Sequence, residues 1–381
     1  MPRHAHVAAP AAAATHFAEQ PHIPVDPSVA DQLGNPRCAF VTGGPREYLP
    51  GINCLAQRLT QVGSLHPLLV MVEPEDAAYM QQRVELSSHR SSAVLPWRRF
   101  PDPKNRSEPW RFRSAHVMDK MNLFGMPFRR LVWIDADVFI RRSVDELCDL
   151  PDDVPFASGL DAEGLPTKCL RPLPSGKSIR ASCDHKNCSV KYDMKKEAYP
   201  YVGIRARDLS PQPGPCPYIL QSGVMVLRPF SISEFNEIIV DPMRQGKIFS
   251  YDFGDQGILA SLTYGPRQLF GDNYMRLHPM YNVIARHAKH SELTWGGGVV
   301  KHNLTAALMH FTRETRPWQL KPMGASDFKT RRGEYTRTCS PVVCRLLEAG
   351  VATSRASSDR NPTHEIHPGW KAHCLNATAS G

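Results

Sequence analysis

The sequence predicts an α/β fold, a mixed and mostly parallel central sheet flanked by helices. Apolar runs of strand length alternate with helical stretches between residues 37 and 135, the β-α-β rhythm of a parallel sheet. One of these runs, Arg130-Leu131-Val132-Trp133-Ile134, has the length and branching of a central strand buried on both faces. The 381 residues suffice for one large domain with extensions.

Taken in order, residues 1–36 are rich in Ala, His and Pro, lack periodicity and predict a disordered N-terminal arm. The domain is expected over 37–325. Cys38-Ala39-Phe40-Val41-Thr42 reads as a buried strand stopped by Gly43-Gly44-Pro45, with a helix over 50–65 after it. A strand over 68–72, a helix over 74–87, a weak strand over 93–97 and a helix over 114–126 lead into the central run. Residues 161–217 lose periodicity while gathering cysteines, prolines and charges, which marks an insertion or a long functional loop. Order resumes with a strand over 223–227, helices over 231–244 and 252–263, and a late strand over 306–311. Residues 326–381 read as a mostly irregular tail.

Composition excludes little. The net charge of +9 is spread along the chain, and no aromatic-interleaved basic motif suggests nucleic acid. The 34 prolines exceed the usual share of about 5%, so long loops are expected. Among ten cysteines, Cys183/Cys188 and Cys339/Cys344 have the spacing of local pairs. Four glycosylation sequons, at Asn105, Asn187, Asn303 and Asn376, lean towards a secretory lumen such as the Golgi. Against this, the Ala-rich start is a poor signal peptide, and no apolar stretch approaches the ~20 residues of a membrane span. A soluble, cytoplasmic chain without an integral membrane segment is therefore the expectation from the sequence as written.

Ligands of open parallel sheets bind beyond the carboxyl ends of the strands, and there stands Asp135-Ala136-Asp137. Two carboxylates at the mouth of an apolar strand repel each other and lose hydration unless a cation compensates them. Hard divalent ions such as Mn²⁺ or Mg²⁺ take oxygen ligands and keep positions open for substrate phosphates. The plainer alternative is a pair of turn or capping aspartates.

The segment from Arg130 to Phe139 resembles the metal-binding strand and Asp-x-Asp of family-eight glycosyltransferases, the glycogenin-like group. Five further segments match in order. Ala39-Phe40-Val41-Thr42 with Tyr48 is similar to the family's first strand and its base-stacking tyrosine; the helix carrying Lys120 is similar to the one whose lysine touches the donor sugar. Ser222-Gly223 after Gln221 resembles an Asn-Ser/Ala-Gly turn, and Asp252-Phe253-Gly254-Asp255-Gln256-Gly257 a donor-binding acidic segment. His310-Phe311-Thr312-Arg313-Glu314-Thr315-Arg316-Pro317-Trp318 is similar to the His-Phe-x-Gly-x-x-Lys-Pro-Trp signature.

This resemblance implies a glycosyltransferase A-type nucleotide-binding domain using a UDP-sugar and Mn²⁺, with Mg²⁺ as substitute. It implies metal ligands Asp135, Asp137 and His310; nucleotide-sugar contacts from Thr42, Tyr48, Lys120, Ala136, Gln221, Ser222, Gly223 and Arg316; and Asp255, Asp252 and Gln256 around the reacting sugar. Transfer with retention of configuration is expected, by double displacement or front-face attack. Departures stand at Gln221 for Asn, Arg313 for Gly and Arg316 for Lys; Arg binds phosphate well but is not equivalent to Lys. Residues 283–309 contain no tyrosine, so self-glycosylation by glycogenin's route is not expected, and the acceptor is a separate glycan, lipid or protein. A homodimer is a further expectation. A catalytically inactive nucleotide-sugar-binding protein and a metal-dependent nucleotidyltransferase are the alternatives.

Overall fold

The computed structural model describes residues 21–84, 92–100, 116–160, 169–172, 178–181, 202–205, 220–245, 255–264, 269–270, 273–284, 292–295, 298–301 and 307–311. The expected cysteine pairs at 183/188 and 339/344, the four sequons and the C-terminal tail lie outside these residues.

The chain opens with a short helix, α1 (Val29–Gln32), then β1 (Ala39–Gly43), α2 (Leu49–Gln61), β2 (Leu68–Val72), α3 (Ala77–Arg83) and β3 (Ala93–Pro96). Next come α4 (His116–Asp119), a 3₁₀ turn over Lys120–Gly125, β4 (Leu131–Ile134), β5 (Val138–Ile140) and β6 (Phe156–Leu160). The expected insertion contains a hairpin, β7 (Cys169–Pro172) with β8 (Ser178–Ala181), and β9 (Gly203–Arg205). Then follow β10 (Leu220–Leu227), α5 (Ile232–Phe235), α6 (Asp241–Arg244), α7 (Asp255–Tyr264), β11 (Met275–Leu277) and β12 (Val283–Ile284). The hairpin β13 (Glu292–Trp295) and β14 (Gly298–Lys301) precedes β15 (Leu308–His310).

Eight strands form one sheet in the order β3-β2-β1-β4-β10-β6-β11-β9. The four on the first side run parallel, β10 is antiparallel to both neighbours, and β11 is parallel to β6. The fold is thus α/β with a mixed, mostly parallel sheet, and β9 makes part of the supposed insertion a sheet edge. Side chains alternate between two cores as a period of two requires. Ala39, Val41, Leu69, Met71, Leu131 and Trp133 pack on one face, and Phe40, Leu68, Val70, Val132 and Ile134 on the other. Both faces being covered explains why these strands read as continuous apolar runs.

The expectation of a disordered arm up to residue 36 is overturned for residues 21–36. His22 accepts no solvent role: its backbone N–H donates to Asn236 Oδ1 at 2.6 Å, its ring meets Asn122 Oδ1 at 2.7 Å, and Asn236 Nδ2 returns a bond to its carbonyl at 2.9 Å. Val25, Val29 and Ala30 join the core. No periodicity signals this segment because it is anchored by single side chains entering a surface completed by distant residues.

A disulfide joins Cys38 to Cys148, 110 residues apart, and Cys54 is also disulfide-bonded. The nonlocal pairing ties the start of β1 to the turn over Asp145–Asp149.

Candidate active site

The sheet register assembles the site. β1 and β4 run parallel as neighbours, so Thr42 and Asp135 leave the sheet at one edge. Asp135 N–H donates to the Gly223 carbonyl at 2.8 Å, which sets β10 beside the carboxylates. β5 pairs antiparallel with β15, His310 opposite Val138, and Phe311 N–H donates to the Asp137 carbonyl at 2.9 Å. Residues 173 positions apart in sequence are thereby held side by side by backbone hydrogen bonds rather than by a flexible loop.

Asp135, Asp137 and His310 each offer a ligand atom, all within 4.8 Å of one another. His310 Nε2 lies 3.2 Å from Asp137 Oδ1 and 3.7 Å from Asp135 Oδ2. Two carboxylate oxygens and one imidazole nitrogen, partly buried and with Ala136 fully buried between the acids, fit a Mn²⁺- or Mg²⁺-like ion. A second group of Cys38, His66 and Cys148 does not fit, because its sulfurs are joined to each other and offer no thiolate.

Lys120, at the start of its 3₁₀ turn, reaches the same carboxylates. Its Nζ stands 2.7 Å from Asp135 Oδ1 and 3.5 Å from Asp255 Oδ2, donates to the Ser222 carbonyl at 3.4 Å and lies over the Trp133 ring. Burial pulls the ammonium pKa down, but Asp135 and Asp255 outweigh it and hold it above the usual lysine range. For Asp255 burial itself dominates, pushing the carboxyl up against the opposing pull of Lys120 and the Ser222 hydroxyl. The His310 ring is drawn down by burial, yet Asp137 and Asp135 raise it above its ordinary value.

Asp255 opens α7, where its Oδ1 accepts from Gln256 N–H at 2.9 Å, so the capping and functional readings of this acid coexist. Gln221 Oε1 accepts from Gly223 N–H at 2.9 Å and from Gln256 Nε2 at 3.2 Å, linking β10 to α7. Gly223 leaves room for the histidine: a Cβ there would stand 2.2 Å from His310 Cε1. Thr42 is buried at the end of β1, its hydroxyl without a hydrogen-bond partner among the described residues. Beyond it, Gly44 at φ 144° allows Tyr48 to pack closely over the chain.

Of the residues singled out by sequence, the structure brings together Asp135, Asp137, His310, Lys120, Asp255, Gln256, Gln221, Ser222 and Gly223. Tyr48 lies beyond the same sheet edge, and Asp252 and Arg316 lie outside the described residues. Two supporting side chains were missed by the sequence reading, although Trp133 stands two positions before Asp135 on one strand face. Trp133, read from sequence as core, donates its indole N–H to Asp135 Oδ1 at 2.6 Å; Asn282 Oδ1 lies 3.0 Å from His310 Nδ1.

No family model matches the chain. Galactinol synthase 1 of Solanum lycopersicum is 25% identical over 162 residues, 40% of this chain and 50% of that protein. Glycogenin of Komagataella phaffii (strain GS115 / ATCC 20864) is 23% identical over 293 residues, 74% of this chain and 57% of its own. The chain thus spans about half the length of both relatives. Among solved structures, an apo WbbM bifunctional glycosyltransferase superposes with TM-score 0.47 at 14% identity, covering 74% of this chain and 47% of that one. An active-site mutant of LgtC does so with TM-score 0.45 at 12% identity, covering 82% and 95%. The chain is similar to family-eight, glycogenin-like glycosyltransferases in sequence.

Proposed function

We propose that this protein is a glycosyltransferase that moves a hexose or hexuronic acid from a UDP-sugar, with retention, to a separate glycan, lipid or protein acceptor. The observation that carries the reading is the convergence of Asp135, Asp137 and His310 at the carboxyl edge of the sheet, beside Lys120 and Asp255.

In this reading Asp135, Asp137 and His310 hold Mn²⁺, which when bound neutralises charge on the departing diphosphate. Lys120 adds a fixed positive charge, preorganised by its carboxylate partners and released from solvent. Arg316 serves the diphosphate, and Tyr48 the base. Asp255 is the carboxylate set against the donor sugar, while Gln221, Gln256 and Asp252 orient its hydroxyl groups. A buried carboxyl with a raised pKa is a costly thing to keep unless it acts on a ligand, and Lys120, 3.5 Å away, opposes the effect of burial on it. The disulfide and the sequons favour an oxidising, secretory compartment over the cytoplasm. No described helix is long and apolar enough to cross a membrane.

The test is UDP release from a panel of UDP-sugars, with and without Mn²⁺, beside an Asp135→Ala, Asp137→Ala double variant. Metal-dependent release with one sugar, reduced at least a hundredfold in the folded variant, is expected. Donor binding without release under any condition, acceptors included, supports an inactive binding protein instead; pyrophosphate release from a nucleoside triphosphate supports a nucleotidyltransferase.

A further inference from the structure

Asn282 stands between the turn over Pro279–Tyr281 and β12, and nothing in the transfer reaction described above uses it. Its position is nonetheless fixed from several sides. β12 pairs in parallel with β15, Ile284 opposite His310. The preceding Tyr281 is fully buried and donates its hydroxyl to Glu146 Oε1 at 2.8 Å, and the Met280 carbonyl accepts from Ala307 N–H at 2.8 Å. On its other side Asn282 packs against Gly159 of β6. The amide is thus carried on the strand layer that carries the histidine, and its oxygen faces His310 Nδ1 at 3.0 Å.

An imidazole can ligate a cation only through a nitrogen that carries no proton, and the hydrogen bond at the other nitrogen selects which one that is. Asp135 and Asp137 lie on the Nε2 side. An acceptor at Nδ1 holds the proton there against the competing pull of Asp137 Oδ1, 3.2 Å from Nε2, and so leaves the Nε2 lone pair directed between the two carboxylates. The reversed amide would donate to Nδ1 and force the proton onto Nε2, against the cation. We propose that Asn282 is a positioning residue that holds the His310 ring with its proton on Nδ1, so that Nε2 is preset as a metal ligand. This rests on the metal reading of the Asp135, Asp137 and His310 group. Among the described residues Asn282 Nδ2 is buried with no hydrogen-bond partner, and the oxygen's bond to His310 is the polar contact they give the side chain.

The experiment titrates Mn²⁺ alone into the full chain, following free Mn²⁺ by electron paramagnetic resonance, for the wild type, Asn282→Leu and Asn282→Asp. Loss of an orienting partner of this kind costs roughly 10–100-fold in metal affinity. That loss is expected in Asn282→Leu with the metal-free Tm unchanged, while Asn282→Asp, which keeps the acceptor, stays within about threefold of wild type. Leu within twofold of wild type, or Asp as weak as Leu, overturns the proposal. Ring ¹⁵N spectra of metal-free wild type, at a pH where His310 is neutral and with its signals assigned from a His310→Ala variant, read the tautomer directly. A proton on Nδ1 supports the proposal and one on Nε2 overturns it, even if Asn282→Leu does not fold. Wild type that binds no Mn²⁺ defeats the metal reading, and the tautomer still decides whether Asn282 sets the ring.

Discussion

At the scale of single residues, the site depends on contacts too close for substitution. Gly223 faces the His310 ring so nearly that Gly223→Ala would force a methyl group to within 2.2 Å of Cε1. Overpacking of this kind costs about 1–3 kcal/mol, and here it also turns the ring off the carboxylates; the expected outcome is a modest fall in Tm with a larger fall in Mn²⁺ affinity, read by urea melts and metal titration. His310 also gives a pH dependence. Its folded pKa is raised above 6.5, so its contribution to stability of the metal-free protein is fully present below that value and is lost as pH rises through the folded pKa. Metal needs the neutral ring, so Mn²⁺ affinity changes in the opposite sense. The Tm increase caused by Mn²⁺ should accordingly be larger at pH 9 than at pH 6, and an equal increase at both would show that His310 is not a ligand.

Elements of the fold follow local chemistry where it is strong. The helix after β10 begins at Ser231, whose side chain accepts from Glu234 N–H while Glu234 returns a bond to the Ser231 backbone. This capping box was not needed to recognise the helix, but Ser231→Ala should lower stability by about 1 kcal/mol without affecting metal binding, measured by chemical denaturation beside a metal titration. The single helix expected over 231–244 is instead α5, a π turn over Asn236–Val240, and α6. Pro242 has no N–H to return to Ile238, and the helix widens just ahead of it. The helix expected over 114–126 likewise tightens into a 3₁₀ turn from Lys120. In β4 the alternation was legible, yet Trp133 was read only as core. Its ring is buried against Trp97, and only the fold reveals that its N–H reaches Asp135.

For the whole molecule, the Cys38–Cys148 disulfide closes a loop of 110 residues that contains all of β1 to β5. Cross-links of that span restrict the unfolded chain by roughly 4–5 kcal/mol. Reduction, or a Cys38→Ser, Cys148→Ser double variant, should lower the Tm substantially; a Tm unmoved by reductant in protein whose thiols are then titratable would argue against a structural role. The segment around His22, Val25 and Val29 closes the core on the other face of the sheet, tied to Asn122 and Asn236.

The sequence by itself determined the layered α/β fold, the central strand and the acids that follow it, because buried parallel strands are continuous apolar runs and charge at their ends stands out against them. Lys120, His310, Asp255 and the Gln221-Ser222-Gly223 turn were expected in one site only through the resemblance to family-eight glycosyltransferases. The tertiary structure decided what has no periodicity and no local spacing: the anchoring of residues 21–36, the partner of Cys38 and the amide on His310. The first two join side chains 100 or more residues apart, and the amide meets the histidine across strands whose register sets the distance. Such contacts are fixed by how distant elements align, and that alignment is a property of the whole fold.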